Sequence, residues 1–289
     1  MHQDTYEQNP GLRRSDLWQI HITPKHFKQA MDSKRESKTL NFGIAMHKYL
    51  LEPDTFDDEY AVSPNVDRRT KLGKSIYADF EQNLGDKLAI SEAEFSTIKA
   101  MTEAALANPL VKQLLDGIHE GEYYWTDPTT KEPLKCKTDC ITTYEGQEYI
   151  VDYKTTDSCA DGHFEYASRK YGYQFQAGFY TAGLEQCTGK PHGFAFIAQE
   201  KKAPFACRVY VCSPEYIRNG QDIFHQLLET YHQCKITNDW YGYGYSTHNP
   251  APTILMDDAE RYAAKRQAQV TYQSTMFGYD NNDVEDDDE

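Results

Sequence analysis

The sequence lacks the features of exported, membrane-spanning and disulfide-bonded proteins. Its 289 residues contain no apolar run of 18 or more residues, and the first thirty residues contain no hydrophobic signal core. The seven cysteines are an odd number, form no C-x-x-C pair and all lie between residues 136 and 234. These absences argue against a disulfide framework and a closed zinc site. We therefore expect a cytoplasmic protein with reduced thiols and no membrane segment.

Positive charge is also scarce, with 30 Lys and Arg against 45 Asp and Glu and a net charge of −15. Seven of the acids lie in residues 280–289, so the preceding 279 residues carry about half of the deficit, −8. Residues 25–48 are instead basic, with six Lys or Arg against two acids, and a second basic cluster follows at Arg68, Arg69, Lys71 and Lys74. The acidic average therefore does not exclude a nucleic-acid partner.

No internal repeat and no Pro- or Gly-rich linker divides the chain. We expect one domain over residues 1–245, with a helical part at 11–117 and a strand-rich core at 119–235. A C-terminal extension at 246–289 follows, and its acidic end, 279–289, is predicted to be disordered.

Caps and apolar spacing predict the helices. Ser15 is predicted to cap one helix, and Thr23, followed by Pro24, a second. Helical spacing also covers 39–52 and 91–117, the latter broken near Pro109. Further helices are predicted over residues 165–187, 214–235 and 257–270.

Short β-rich segments follow residue 119. The segments EGEYYWTD, LKCKTDCITT and QEYIVDYKTT are separated by turn-prone residues, which is typical of an antiparallel meander. Two more strand candidates, GFAFIAQE and FACRVYVC, lie between the last predicted helices of the core. This order of elements predicts an α/β or α+β fold with a mixed sheet.

Two carboxylates are predicted to meet across the meander. Period-2 alternation puts Asp152 and Lys154 on one face of their strand, and a hairpin turning near Glu145-Gly146 would bring Asp139 to about 5 Å from Asp152. On the first strand, the same alternation puts Cys136, Thr138 and Cys140 opposite Lys135, Lys137 and Asp139. Two carboxylates at this separation can share a Mg²⁺ ion, and a lysine beside them can hold or deprotonate a water molecule. A solvated face of mixed charge is the ordinary alternative.

The spacing Thr-Asp, twelve residues, Asp-x-Lys resembles the PD-(D/E)XK nuclease core in its D-x-K form. Five motifs, in order between about residues 11 and 245, resemble the C-terminal nuclease domain of RecE-type exonucleases (exodeoxyribonuclease VIII), relatives of lambda exonuclease and the RecB nuclease domain. They are LNFGIAMHKYLLEPDTF, VSPNVDRRTKLGK, YYWTDPTTKEPLKCKTD, IVDYKTTD and YGYQFQAGFY. The resemblance implies a restriction-endonuclease-like core, a central mixed β-sheet flanked by helices, with an N-terminal helical region.

The resemblance also implies a set of site residues. The implied metal ligands are His47, Asp139, Asp152 and the backbone carbonyl of Tyr153, and the implied active-site lysine is Lys154. An accessory acid precedes the first strand in the family, and Glu120 fits its position slightly better than Glu122. Without the resemblance, His47 would be interpreted as an ordinary core or surface histidine.

Residues that approach DNA are implied by a Q-x-x-x-Y element, which resembles that of RecB-like nucleases. It places Gln176 and Tyr180 at the site near the DNA backbone, where they would either support the catalytic residues from behind or contact phosphate, and Tyr173 shares their helical face. Core packing is the alternative for this stripe. Sequence-independent phosphate contacts are expected from a set of basic residues whose alternative is a solvated surface: Arg68, Arg69, Lys71, Lys74, Lys135 and Lys137.

The implied activity is a Mg²⁺-dependent exonuclease that acts on double-stranded DNA ends, with Mn²⁺ able to substitute. It would degrade the 5′-ended strand to 5′-mononucleotides and leave a 3′ tail for a RecT-like or Beta-like single-strand annealing protein. Family members form toroidal trimers or tetramers, and the compartment would be the cytoplasm of a bacterial or phage-infected cell. Two alternatives remain: an endonuclease or repair nuclease of the same fold, and a non-catalytic acidic adaptor that binds a recombinase.

Overall fold

Helices form the first part of the chain in the computed structural model, which describes residues 3–33 and 42–243. The elements up to residue 114 are α1 (Gln3–Gln8), α2 (Arg14–Ile22), α3 (Pro24–Asp32), α4 (Phe42–Leu51), a 3₁₀ turn (Pro53–Thr55), α5 (Phe56–Glu59), β1 (Tyr60–Ser63), α6 (Lys71–Asn83), β2 (Leu88–Ser91), α7 (Glu92–Ala107) and α8 (Pro109–Leu114). Within the described ranges, no helix is long and apolar enough to cross a membrane.

The second part of the chain supplies the main sheet. Its elements are β3 (Ile118–Thr126), β4 (Pro133–Tyr144), β5 (Gln147–Thr156), α9 (Asp161–Tyr171), α10 (Tyr173–Thr188), β6 (Gly193–Glu200), β7 (Cys207–Val211) and α11 (Pro214–Thr237). The described residues up to Gly242 form one compact unit. The domain boundary at 245 stays a prediction, and the predicted extension (246–289), its helix (257–270), its acidic tail (279–289) and the basic residues Lys34, Arg35 and Lys38 lie outside the described residues.

Five strands pair in the order β3-β4-β5-β6-β7. Strands β3, β4 and β5 form the antiparallel meander, β5 and β6 are parallel, and β6 and β7 are antiparallel. The β4–β5 hairpin turns at Glu145 and Gly146, whose φ angles of 49° and 80° suit a two-residue turn. The mixed sheet flanked by helices confirms the predicted fold class.

The sheet separates two apolar layers. One face packs against α4, α7 and α8 through residues such as Met46, Ile98 and Val151. The other face packs against α2, α10 and α11 through residues such as Phe179 and Ile150. Because Ile150 and Val151 are neighbours on opposite faces, β5 alternates as its sequence predicts and is buried on both sides.

The predicted helix over 165–187 is wrong, because two helices, α9 and α10, meet there at Gly172. This residue has φ of 67°, and a Cβ on it would lie 2.5 Å from the ring of Trp18. The Arg14 guanidinium donates to the carbonyls of Tyr171 and Gly172, so the chain turn is held by the N-terminal region. The turn depends on α2, which is far away in the sequence.

Two smaller predictions are also corrected. Thr23 caps α3 as expected, since its hydroxyl accepts from the His26 N–H, but Ser15 is no cap because α2 begins at Arg14. Cys136 and Cys140 do not share a face, since each packs in a different apolar layer. Between these two cysteines, Asp139 of β4 and the opposite residue Glu120 of β3, with φ of 53°, both drop out of the β3–β4 pairing.

Two further features were not predicted from the sequence. One is a second sheet, in which β1 and β2 pair in parallel, and the other is the helix α6 between these strands. Residues 64–84, which we call the α6 arm, connect these two strands. Gly73 is the one buried residue of α6. The arm therefore projects from the first apolar layer with little burial of its own.

Candidate active site

Strands β4 and β5 separate at the point where their carboxylates would meet. Their pairing ends at Cys140 opposite Val151, so the next opposed residues would be Asp139 and Asp152. Asp139 Oδ2 instead accepts a hydrogen bond from the backbone N–H of Tyr153, at 2.8 Å. The Asp139 side chain thus replaces a backbone carbonyl of β4 as the acceptor for Tyr153, and the two strands are no longer paired beside Asp139 and Asp152.

Asp152 is buried and held from two sides. Its side chain is 5% exposed, its Oδ1 accepts from the Gln176 amide at 2.5 Å, and its Oδ2 forms an ion pair with Lys154. Oδ2 has no hydrogen-bond partner of good geometry, so the ammonium compensates its charge without a directed hydrogen bond. This buried oxygen can accept a further partner.

His47 approaches the carboxylates from α4. Its Nδ1 lies 3.4 Å from Asp139 Oδ2, and its ring meets the Tyr153 ring at 72° with the centroids 5.2 Å apart. The helix α4 therefore brings an imidazole to the strand gap, from the face of the sheet opposite to Gln176.

The electrostatics of the group are tightly coupled. Burial raises the pKa of Asp139 to about 6; the charge of Asp152 also raises it, while His47 and Lys154 oppose the increase. Burial alone would lower the pKa of Lys154, but Asp152 and Asp139 raise it above its ordinary value. Lys154 is therefore an ammonium ion at neutral pH, and both acids share its positive charge.

A cleft of about 1090 Å³ opens over these residues. Six predicted site residues line it: His47, Glu120, Lys137, Asp139, Tyr153 and Lys154. Glu120 is paired with Lys137, whereas Glu122, also at the cleft, accepts from the Tyr124 hydroxyl at 2.7 Å. Both candidates for the accessory acid thus reach the cleft.

The donor atoms suit the divalent cation that the resemblance implies, but they do not form a ready-made cage. In residues 3–33 and 42–243, no three His, Cys, Asp or Glu side chains are grouped closely enough to hold a metal. The Lys154 ammonium neutralises Asp152 instead. Carboxylate oxygens and an imidazole nitrogen are suitable ligands, and Asp152 Oδ2 contacts the Lys154 ammonium. Asp139, Asp152 and His47 are therefore the residues that would hold such an ion.

The predicted DNA-facing stripe of α10 lies behind the cleft. Gln176 is buried and its amide contacts Asp152, so it orients a carboxylate. The Tyr180 ring meets Phe194 with the centroids 6.2 Å apart, and burial raises its pKa well above the ordinary value. Tyr173 lies under Lys154, whose Nζ is 5.4 Å from the ring centroid.

The predicted basic contacts divide into two groups. Lys137 reaches the cleft, but Lys135 is buried and donates to the Tyr6 and Asn9 carbonyls, which removes it from any phosphate-binding surface. The other four residues belong to the α6 arm and do not line the cleft: Arg68, Arg69, Lys71 and Lys74.

Two residues at the cleft were missed by the sequence analysis. Lys48 bridges Glu52 and Glu59, at 3.1 and 2.8 Å, and fixes the end of α4. His119 lies within hydrogen-bond distance of the Leu51 and Leu115 carbonyls, at 2.8 and 2.7 Å. The i,i+4 spacing of Lys48 and Glu52 was a visible signal. The contacts of His119 depend on tertiary packing alone.

Comparisons with known proteins agree with this geometry. A crystal structure described as a "Putative exonuclease" from Eubacterium rectale aligns with 91% of this chain and 98% of its own, at 13% identity and a TM-score of 0.56, which shows a shared fold. The structure of SSO0001 aligns with 73% of this chain and 86% of its own, at 11% identity and a TM-score of 0.28, too low to support an argument. No curated protein matches the sequence. Residues 14–245 match the family described as "PDDEXK-like domain of unknown function (DUF3799)", and the chain belongs to that family.

Proposed function

We propose that the protein is a metal-dependent exonuclease that hydrolyses phosphodiester bonds at the ends of double-stranded DNA. The observation that supports this proposal is the convergence of Asp139, Asp152 and Lys154 at the gap between β4 and β5, beside an open cleft. Nucleases of the PD-(D/E)XK fold generally use divalent metal ions. Mg²⁺, with Mn²⁺ as a substitute, is the ion we propose.

Each residue has a distinct task in this proposal. Asp139, which lies beside His47, presents a carboxylate to the cleft, and Asp152, oriented by Gln176, lies buried directly behind it beside Lys154. Lys154 carries a fixed positive charge, because the neighbouring acids raise its pKa. It is therefore placed to orient the attacking water and to offset the charge on the phosphate. A bound divalent cation would lower the pKa of the attacking water and polarise the phosphate oxygens.

The finer features rest on the resemblance of the sequence motifs to RecE-type exonucleases. We propose that the 5′-ended strand is degraded to 5′-mononucleotides and that the 3′ tail passes to a RecT-like or Beta-like annealing protein. A toroidal trimer or tetramer would keep the enzyme on the duplex. The solved relative described as a "Putative exonuclease" is compatible with end-dependent cleavage, but its likeness is one of fold.

The test is cleavage of linear duplex labelled at either the 5′ or the 3′ end, beside covalently closed circular duplex, in Mg²⁺ and in EDTA. The proposal predicts early release of the 5′ label, no cleavage of the circle and no reaction in EDTA. Early release of the 3′ label would contradict the polarity, cutting of the circle would favour an endonuclease, and no cleavage in Mg²⁺ or Mn²⁺ would favour the non-catalytic adaptor.

Two variants separate the site from the rest of the chain. Asp152→Asn is expected to reduce cleavage by at least about a thousandfold, since a carboxylate that would hold the cation is lost. The matched control is Asp157→Asn, which changes an exposed acid just beyond β5 that pairs with Lys201 at 2.8 Å. The control should cut DNA at the parental rate. Wild-type activity in a folded Asp152→Asn protein would refute the assignment.

A further inference from the structure

A series of cationic and aromatic side chains leads from the active site to the protein surface. The Lys154 Nζ lies 5.4 Å from the centre of the Tyr173 ring, and the Tyr173 and Tyr171 ring centroids are 6.1 Å apart. The Lys170 Nζ lies 5.1 Å from the centre of the Tyr171 ring. We call these four residues, Lys154, Tyr173, Tyr171 and Lys170, the aromatic–cation ladder.

The outer end of the ladder is firmly held by the fold. It lies at the turn between α9 and α10, where the Arg14 Nη2 donates to the Gly172 carbonyl at 2.9 Å. The Trp18 ring occupies the space where a Cβ of Gly172 would be. Both contacts fix the backbone just after Tyr171, and Arg14 Nη2 also donates to the Tyr171 carbonyl. The ring is therefore presented in a defined place, so binding to it requires little ordering of the protein.

Exposure distinguishes the outer ladder from ordinary core packing. Tyr171 is 49% exposed, and on the same helix Tyr166 is 59% exposed, so both rings are accessible to a partner. Arg169 and Lys170 are exposed between them, so the surface alternates rings with positive charge. Single-stranded nucleic acids bind to this combination, because the bases stack on aromatic faces while the cations neutralise the phosphates.

We propose that Tyr171 and Lys170 bind single-stranded DNA and form a surface continuous with the active site. A base stacks on Tyr171, Lys170 neutralises a neighbouring phosphate, and Tyr173 connects this surface to Lys154. The inference rests on the proposed nuclease function. It extends that function by giving one strand of a separated duplex a binding surface next to the active site. The contacts that link Tyr171 to Lys154 favour a DNA strand as the partner. A protein partner could bind an exposed Tyr and Lys without any link to the active site.

The test is the affinity for a fluorescently labelled oligothymidylate, measured by anisotropy in the Asp152→Asn background so that the strand stays intact. Tyr171→Ala should weaken binding by at least about fivefold, the lower end of the cost of losing a base-stacking ring. Tyr171→Phe should bind like the parent, and Tyr171→Leu, which keeps an apolar side chain without a π-face, should bind like Tyr171→Ala. Thermal melting of each variant checks that the fold is unchanged.

The lysine has its own readout and control. Lys170→Ala should reduce the slope of log affinity against log salt by about 0.7, the value for one contact with a single-strand phosphate. The control is Lys112→Ala, an exposed lysine of α8 on the other side of the sheet, for which the slope should not change. An affinity of Tyr171→Ala within about twofold of the parent, or tight binding by Tyr171→Leu, overturns the inference.

Failure of the inference and failure of the proposed function give different results. If the parent cuts DNA but the ladder variants bind normally, the function stands and this surface is wrong. If the ladder variants lose binding but the parent does not cut DNA in Mg²⁺ or Mn²⁺, the surface stands as a single-strand binding site and the nuclease proposal fails.

Discussion

The active site and the α6 arm were both expected to contact DNA, yet the residues of the first are buried and those of the second are exposed. The active-site residues come from α4, β4, β5 and α10 and are buried or half-buried against one another. The arm holds its four basic residues in one short segment at the surface, where Arg69 pairs with Asp67 at 3.0 Å and Arg68 lies 3.8 Å over the Tyr77 ring.

This difference separates two kinds of sequence evidence. Carboxylates spaced across a predicted hairpin identify a place where like charges are held together, which costs free energy and is found mainly at functional sites. A cluster of basic residues within one segment costs little, because each side chain remains in water. The first kind of evidence is therefore stronger, and four predictions test how far the contrast extends.

The largest expected effect on stability is at the helix pair behind the active site. A Cβ on Gly178 of α10 would lie 2.1 Å from the backbone carbon of Gly220 on α11. Gly178→Ala should therefore lower the free energy of unfolding by about 3 kcal/mol, because backbone cannot move aside as a side chain can. Thermal melting should show a decrease of roughly 6–12 °C for a chain of this size.

The matched variant in the arm is Leu72→Ala. Leu72 is 71% exposed, so its truncation should change stability by less than about 0.5 kcal/mol. A large loss at Leu72 would show that the arm is packed against something in solution, and the contrast between the two regions would then fail.

The second prediction concerns the Gln176 amide that orients Asp152. Gln176→Leu should lower the cleavage rate by about 10- to 100-fold and raise the Mg²⁺ concentration needed for activity, as is usual when the partner of a metal-binding carboxylate is removed. Gln174→Leu is the control on the same helix, since the Gln174 amide donates to the Tyr216 carbonyl at 3.3 Å. Equal losses in both variants would indicate a general packing effect.

The third prediction compares a buried ion pair with an exposed one. Burial raises the pKa of Glu132, but hydrogen bonds from Lys235 and His232 outweigh it and hold the pKa below the usual range. The ionised carboxylate therefore stabilises the fold above about pH 4.3, the unfolded value, and this contribution is lost as pH falls through the folded pKa. Glu132→Gln should cost about 1–2 kcal/mol at pH 7.

The cost of Glu132→Gln should begin to shrink in thermal melts below about pH 4.3 and disappear once the pH is below the lowered pKa of the folded state. The comparison in the arm is Asp67→Asn. A hydrogen bond from Arg69 also lowers the pKa of Asp67, but the pair is at the surface, so its melting temperature should equal that of the parent at every pH. A cost for Glu132→Gln that persists in acid would assign it to packing.

The smallest expected effect is that of the arm charges on DNA. The double substitution Arg68→Ala and Lys74→Ala should leave the maximal cleavage rate unchanged, because neither side chain lines the cleft. If both residues contact phosphate, the slope of log affinity against log salt for duplex DNA should decrease by about 1.8. An unchanged slope would remove the arm from the DNA-binding surface, and a large loss of rate would place it in the active site.

Much of the fold was predictable because its signals are local. Alternation, turn residues and caps identified β3 to β7, the hairpin at Glu145-Gly146 and the start of α3. The errors arose where distant residues decide: Trp18 and Arg14 break the helix at Gly172, and the pairing of β4 is interrupted at Asp139, where both neighbouring strands lose their partner residue. The short strands β1 and β2 were missed because a four-residue strand carries little pattern.

The candidate site shows the same division. The pairing of Asp139 with Asp152 on adjacent strands follows from spacing, and the structure brings them together with Lys154 and His47. The roles of these residues stay predictions until they are tested. Gln176 was expected either to support the site residues or to contact phosphate, and its amide donates to Asp152; the helical stripe alone could not identify that partner.

The hydrogen bond from the Tyr153 amide to Asp139 makes this amide of β5 a reporter of cation binding at the active site. The Asp139 carboxylate takes the place of a backbone carbonyl in the β4–β5 pairing. The solvent protection of the Tyr153 amide therefore depends on the position of that carboxylate. A cation that competes for the same oxygen should change the hydrogen-exchange rate and the chemical shift of the Tyr153 amide, while the regularly paired amide of Val151 stays constant. Occupancy of the site should therefore be measurable in the backbone itself, without substrate and without turnover.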